Sequence, residues 1–346
     1  MPKPITIVGG GLAGLTLGIG LRQRGIPVTV WEAGRYPRHR VCGEFISGHG
    51  QDVLTRLGLR DALVRAGATL ARTAAFYLGR AESPARALAA PALCLSRFTL
   101  DALLADQFLQ AGGELREHAR WETAACGEGV VRANGRRLQP RADGDRWFGL
   151  KVHARDVPLA ADLEMHRARA GYVGFCRLQD GVVNICGLFR RRALAASRPS
   201  GLSLFRELTP PGTLLWERLA GAEFDEGSFC SVAGFSLRPQ RAVLRGECCI
   251  GDALTMIPPV TGNGMSMALE AAALAVGPLA AYSRGEWAWA EAQRCVAAAC
   301  DRAFAQRLAW ARWLQWMMFT PLLRGWSASA ALHSEWLWRL MFAHTR

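Results

Sequence analysis

Ile5 to Val8 is a short apolar run, and three glycines follow at once in the spacing Gly9-x-Gly11-x-x-Gly14. Leu15 to Arg24 then has the pattern of a helix with arginines in its last turn, closed by Gly25. A second apolar run, Val28 to Trp31, delivers Glu32 eighteen residues after the last glycine. Strand, glycine turn, helix, strand and acid are the parts of a dinucleotide-binding βαβ unit. Gly9 permits the tight turn, Gly11 lets backbone reach a pyrophosphate, and Gly14 lets the helix lie on the strand. Glu32 can accept hydrogen bonds from a ribose, and an acid there favours a ribose without a phosphate.

A second segment near the other end has matching parts. Cys248 to Ile250 is apolar, Gly251-Asp252 follows, Pro258 to Gly264 is a proline and glycine loop, and an alanine-rich helix begins at about Met265. Such a strand delivers Asp252 at its end, the loop admits a flat ligand close to backbone, and the helix start aims free N–H groups at negative charge. Two distant segments are therefore expected to hold one long cofactor.

Between them the periodicity changes. Asp52 to Gly67 reads as helices, and Ser96-Arg97-Phe98-Thr99 opens a helix with Leu100, Leu103, Leu104 and Phe108 on one face. Arg97 stands where that helix begins, so its guanidinium is free to reach a phosphate or ribityl oxygen. Glu114 to Trp121 and Val130 to Ala133 read as strands. Trp147 to Ala154, Leu163 to Ala168, Gly171 to Leu178 and Val182 to Phe189 read as strands of a further sheet, with Asp180-Gly181 as a hairpin turn. Val232 to Leu237 is expected to return the chain to the first lobe. The expected fold is α/β: a Rossmann-type unit from residues 1–144 and 240–295, an inserted substrate-binding β-sheet domain over 145–239, and a C-terminal helical, Trp-rich segment over 296–346.

Three features leave alternatives open. The loop Arg35 to Ser47 is rich in arginine; its side chains lie over a pyrophosphate, with Gly43 near the flat end of a cofactor, or they are simply solvated. Lys151 and His153 share a strand face, as do Glu164 and His166, either as a pocket acid and base or as a solvated face. From Phe304 to Phe342 tryptophans alternate with arginines, and Trp310, Trp313, Met317 and Pro321 fall near helical spacing. That tail packs on the main body, anchors at a membrane interface, or forms a greasy substrate entrance.

Charge and cysteines narrow the setting. The formal charge is +13, almost all from arginine, since Lys3 and Lys151 are the only lysines. A scattered basic surface suits anionic membranes, acidic carrier partners or acidic substrates, and no recognised nucleic-acid motif accompanies it, so no nucleic-acid partner is expected. Ten cysteines show neither Cys-x-x-Cys nor His/Cys ligand spacing, which predicts no metal and favours buried free thiols in a reducing cytosol. The expected location is cytoplasmic, with peripheral contact on the inner face of a membrane as the tail's further option. No signal peptide is expected, since the uncharged stretch from Ile5 to Leu21 is explained by a strand, glycine turn and helix. Nucleophile-elbow context is absent, so hydrolase chemistry has no support.

The fingerprint with Glu32, the Arg97 helix entrance and the Gly251 to Met265 segment resemble the FAD-dependent monooxygenase and geranylgeranyl reductase superfamily, whose fold is like that of p-hydroxybenzoate hydroxylase. The resemblance covers most of residues 1–290. Arg40-Val41-Cys42-Gly43-Glu44-Phe45-Ile46-Ser47 is similar to the reductase branch. The resemblance implies FAD, with Gly9, Gly11, Ala13 and Gly14 on the pyrophosphate, Glu32 on the adenosine ribose, Arg97 near the pyrophosphate or ribityl chain, and Asp252 on a ribityl hydroxyl. It places Cys42 and Gly43 beside the ring, and Gly262, Gly264 and Met265 at its pyrimidine edge. One departure is Asn134-Gly135, where the family carries Asp-Gly; Ala142-Asp143-Gly144 stands as a displaced substitute, and the docking of NAD(P)H is left unassigned. NADH or NADPH would deliver electrons transiently. No catalytic side chain is assigned, because the isoalloxazine supplies hydride or activated oxygen while the protein orients and dries the site.

The resemblance implies oxygenation of a hydrophobic organic substrate, free or carrier-bound and aromatic, polyketide or isoprenoid-like. Its alternative is double-bond reduction of a prenyl chain. A halogenase is disfavoured, since neither lysine occupies the place expected in that branch and Trp-x-Trp-x-Ile-Pro is absent. A non-catalytic flavin- or partner-binding protein is the reading from another class.

Overall fold

The computed structural model describes residues 1–122, 127–136, 147–190, 201–235, 237, 240–319 and 332–339. Its strands, in chain order, are β1 (Ile5–Val8), β2 (Val28–Trp31), β3 (Phe45–Ile46), β4 (Thr69–Leu78), β5 (Ala81–Glu82), β6 (Arg86–Cys94) and β7 (Glu114–Arg116). There follow β8 (Val130–Arg132), β9 (Trp147–Arg155), β10 (Leu163–Ala168), β11 (Gly171–Arg177), β12 (Val183–Arg190), β13 (Glu223–Phe235) and β14 (Cys248–Cys249). The helices are α1 (Leu12–Arg22), α2 (His49–Arg56), α3 (Arg60–Arg65), α4 (Arg97–Gln110), α5 (Leu202–Leu208), α6 (Leu214–Ala220), α7 (Gly264–Ser283) and α8 (Trp289–Phe319).

One sheet is parallel, in the order β14-β8-β1-β2-β7, so the first and last segments of the cofactor unit meet in it. Apolar side chains cover one face of it: Ile5, Ile7 and Val30 in the strands, Leu15, Leu17 and Ile19 on α1, and Leu269, Ala272 and Leu279 on α7 belong to one core. Buried apolar residues at alternate positions, Ile5 and Ile7 in β1 and Val28 and Val30 in β2, are why these strands were visible in the sequence.

The second sheet is mixed, in the order β13-β9-β12-β11-β10-β4-β6-β3, with β5 paired to β4. Its central strands match the expected stretches, and the β11–β12 turn carries Asp180 at φ 56° and Gly181 at φ 73°, the positive angles a two-residue hairpin requires. Two features differ from expectation. Strands β4, β5 and β6, from the first 144 residues, lie in this sheet beside β10, so it is not confined to residues 145–239. Val232 to Phe235 does not return to the first lobe; it continues β13, whose Phe235 pairs with Trp147 of β9. Alternating apolar residues mark a strand without saying which sheet it joins, and that choice is made by long-range pairing.

Helix α7 is long and apolar enough to cross a membrane by length and composition alone. In the fold it is a core helix, packed on α1, α2 and α8, with its one acid, Glu270, held by Arg307 of α8 at 2.7 and 2.5 Å. The nine described cysteines are free thiols.

Candidate functional site

The site lies where the β1–α1 turn, the Cys42 to Ser47 loop and the start of α7 converge. Gly9 has φ 112° and donates its N–H to Trp31 O at 2.8 Å. A Cβ at Gly14 would sit 1.9 Å from the Gly9 carbonyl oxygen, whereas a Cβ on Gly11 meets nothing within 4 Å. Gly14 is thus required by packing, and Gly11 by whatever occupies the open side of the turn. A Cβ on Gly251 would lie 2.9 Å from that of Ala13. The two sequence-distant segments are in contact, and Asp252 stands beside the glycine turn.

Glu32 is buried and its carboxylate collects three donors, Gly10 N at 2.9 Å, Gly34 N at 2.8 Å and Arg38 at 2.5 Å, with Arg40 as an ion pair at 3.6 Å. Burial alone would raise its pKa, but the Gly34 N–H and the two guanidinium groups hold it below the ordinary carboxylate range. Tyr36 donates its hydroxyl to Gly10 O. The arginine loop therefore folds onto the dinucleotide turn instead of being solvated.

Arg97 differs from expectation. Its guanidinium is not free but forks onto Asp101 at 2.7 and 2.8 Å, and Asp101 also receives Arg40 Nε at 3.1 Å. Asp101 is fully buried, so these cations are its compensation, and their charge still reaches Cys42 and Asp252. The i,i+4 spacing of Arg97 and Asp101 was legible in the sequence and marks the pair.

Asp252 makes no hydrogen bond or ion pair within the described protein. Burial raises its pKa, opposed by Arg136 and Arg97. A small cleft beside it is lined by Gly251, Asp252, Thr255, Gly264 and Ala268, with Phe304 behind. Gly262 has φ 65°, and a Cβ there would strike the Phe45 ring at 2.1 Å. Ser47 donates its N–H to Ser266 Oγ and its hydroxyl to Asn263 Oδ1, both at 3.2 Å, which docks the Cys42 to Ser47 loop on the α7 start. Asn263, almost fully buried, keeps its Nδ2 without a partner. Gly264 begins α7, and Met265 is buried behind it. An open glycine turn, an uncommitted carboxylate and an orphaned amide at a helix start fit FAD.

Two side-chain groups give the sheet its chemistry. Lys151 and His153 face the cofactor unit and meet Glu44, which has φ 60° and no exposure. Glu44 accepts from Arg97 N at 2.9 Å, lies 2.6 Å from His153 Nε2 and 3.7 Å from Lys151 Nζ. Lys151 Nζ is 3.0 Å from His39 Nδ1, and His39 is pushed down to about 4 by burial, then by Lys151 and His153. On the opposite face Glu164 binds His166 at 2.8 Å, Arg218 of α6 at 3.0 Å and the N–H of Ala160 at 2.6 Å. Neither pair is solvated. Glu44, Asn263 and Tyr172 were missed in the sequence, where nothing distinguishes them from ordinary loop and strand residues; Asp101 was missed too, although its i,i+4 spacing to Arg97 marks it. Pro321 and Ala142-Asp143-Gly144 lie outside the described residues.

Facing the Pro258 to Gly264 loop, the sheet presents Tyr172, Leu188, Met165 and Val232, packed with Val260 and with Leu314, Met317 and Phe319 of α8. The Tyr172 hydroxyl is buried among them without a partner.

Residues 3–146 match the family model of an FAD binding domain. The N-terminal region is similar to an FAD-binding domain. Around that domain the chain has the fold of several solved flavoproteins. The flavin-dependent halogenase CmlS is 20% identical with TM-score 0.76, covering 98% of this chain and 67% of that one. The flavin-dependent brominase Bmp2 is 17% identical with TM-score 0.76, covering 99% and 93%. A flavoprotein/dehydrogenase from Cytophaga hutchinsonii is 14% identical with TM-score 0.75, covering 91% and 86%. No curated protein matches the sequence. At these identities the likeness is one of fold, and with the FAD-binding match it supports an FAD-dependent oxidoreductase.

Proposed function

We propose that the protein is an FAD-dependent oxidoreductase of the monooxygenase type, oxygenating an apolar organic substrate with electrons from transiently bound NADH or NADPH. The observation that carries this reading is the apolar cluster opposite the Pro258 to Gly264 loop, with the unpartnered Tyr172 hydroxyl inside it. An apolar surface with a hydroxyl set in it suits a molecule that is mostly hydrocarbon and carries one polar handle.

Bound FAD supplies the redox chemistry, hydride transfer or oxygen activation. Gly11 and the α1 start receive the pyrophosphate, and Asp252 accepts a hydrogen bond from a polyol hydroxyl. The N–H groups at the start of α7, with Asn263 Nδ2, stabilise negative charge on the pyrimidine edge. Glu44, tied to His153, Lys151 and Arg97 N–H, holds the Cys42-Gly43 backbone between cofactor and sheet. Leu314, Met317 and Phe319 exclude water from the substrate face, and the Tyr172 hydroxyl orients the substrate's polar group.

The halogenases named above share the fold, but Lys151 here is engaged by Glu44 and His39, and Trp-x-Trp-x-Ile-Pro is absent. Oxygenation remains the better-supported chemistry. The Arg-Val-Cys-Gly-Glu loop supports alkene reduction as the second reading. Purified protein is expected to be yellow and to be bleached anaerobically by NADH or NADPH, releasing peroxide when air is admitted without substrate. Reduced flavin inert to oxygen would favour the reductase, and colourless protein that takes up no FAD would leave only a partner-binding role.

A further inference from the structure

Helix α8 has two working faces. Its inner face carries Val296, Cys300, Phe304 and Ala311 into the main core and Leu314 into the cluster around Tyr172. On the outer face Arg302, Gln306, Ala309, Arg312, Trp313 and Trp316 recur at helical spacing and are exposed, Trp313 by 40% and Trp316 by 57%. A second segment extends that surface. The turn Ala242–Leu244 is fastened to α8 by Asp301, whose carboxylate accepts from Ala242 N at 2.7 Å and Val243 N at 3.2 Å. It leaves Val243 exposed by 47% and Leu244 by 78%, flanked by exposed Arg241. Tryptophan, leucine and valine exposed beside arginine are uncommon on a surface that meets only water.

We propose that this surface, Val243-Leu244 with the outer stripe of α8, seats the protein on an anionic lipid bilayer. Tryptophan rings favour the headgroup level, aliphatic side chains enter the acyl boundary, and arginines pair with lipid phosphates. The formal charge of +13 draws the whole molecule toward such a surface. An acidic protein partner would satisfy Arg302 and Arg312 but gives no reason for two tryptophans and a leucine to project outward from separate segments. Arg307 is excluded from the docking set because Glu270 holds it. Membrane seating does not depend on the redox reading. It places the α8 roof of the apolar cluster against the bilayer, the compartment where an apolar substrate concentrates.

The test is co-sedimentation of the full-length, flavin-loaded protein with vesicles of phosphatidylcholine alone or mixed with phosphatidylglycerol. Tryptophan emission is followed in parallel. Wild-type protein is expected to sediment with the mixed vesicles and show a blue-shifted emission, and to bind phosphatidylcholine alone at least about tenfold more weakly. Trp313→Ser/Trp316→Ser, and separately Leu244→Ser, should reduce partitioning about tenfold while retaining anionic-lipid preference. Arg302→Glu/Arg312→Glu should abolish that preference. Flavin content and thermal midpoint, unchanged in all variants, separate loss of docking from loss of folding or of the cofactor. Wild-type protein that binds neither vesicle type, or both equally, overturns the proposal. So does vesicle binding that survives every variant, or salt-sensitive capture by an acidic acyl carrier protein without any lipid binding.

Discussion

Gly11 and Gly14 are both glycines of one motif, yet the structure gives them different jobs. Gly14→Ala forces a methyl into the Gly9 carbonyl oxygen and is expected to lower the unfolding midpoint with or without cofactor. Gly11→Ala meets nothing and should melt like the parent while its FAD affinity falls tenfold or more, roughly the 1.4 kcal/mol that a crowded phosphate contact costs. Differential scanning fluorimetry and flavin fluorescence titration separate the two, and equal melting losses would remove Gly11 from the cofactor face. Asp252→Ala should weaken FAD by about 1–3 kcal/mol, the worth of a charge-assisted hydrogen bond. Unchanged flavin retention would deny its role. Glu32→Arg is expected to cost more, because it also strands Arg38 and Arg40.

The sheet is held by charge on both faces, and elements fail differently on each. Between β9 and the Glu44 loop, Glu44→Gln leaves the fully buried Lys151 without its carboxylate and should destabilise by about 3 kcal/mol in urea unfolding. Adding Lys151→Met is expected to recover most of that loss, since the stranded cation is removed as well. Additive losses would show that the two groups act apart. Beneath the sheet, Glu164 latches β10 to α6 and to the Ala160 turn. Burial opposes its ionisation, but hydrogen bonds from His166 and Arg218 hold its pKa at about 2, below the ordinary 4.5. The carboxylate's contribution is therefore complete above pH 4.5 and is lost as pH falls toward 2. Glu164→Gln should lower the thermal midpoint above that window and converge with the parent below it; a constant gap at every pH would contradict the latch.

At the scale of the molecule, α8 binds four regions: α7, the turn at Ala242–Leu244, the loop at Pro259–Thr261 and β14. Removing residues 304–346 takes away Phe304, Ala311 and Leu314 from two buried clusters and is expected to yield aggregated protein. Size-exclusion chromatography of the truncated chain checks this, and a monomeric product with bound flavin would make the tail an appendage. The tryptophan tail was open to three readings in the sequence because a helix stripe does not say which side faces inward. Packing assigns Leu314 and Met317 inward and Trp313 outward.

What the sequence determined by itself are the features written in local spacing. The glycine turn with Glu32, the Asp252 loop, the hairpin at Asp180-Gly181 and the alternating strands β9 to β12 all depend on neighbours a few residues apart, where backbone geometry ties residue type to conformation. Tertiary structure alone decided the partners. It gave Arg97 and Arg40 to Asp101, buried Glu44 against a lysine of β9, left Asn263 Nδ2 and the Tyr172 hydroxyl unpaired, and moved β4 to β6 into the second sheet. Those outcomes depend on contacts between residues tens to hundreds of positions apart, and burial, which sets their charge and hydrogen bonding, exists only once the chain has closed on itself.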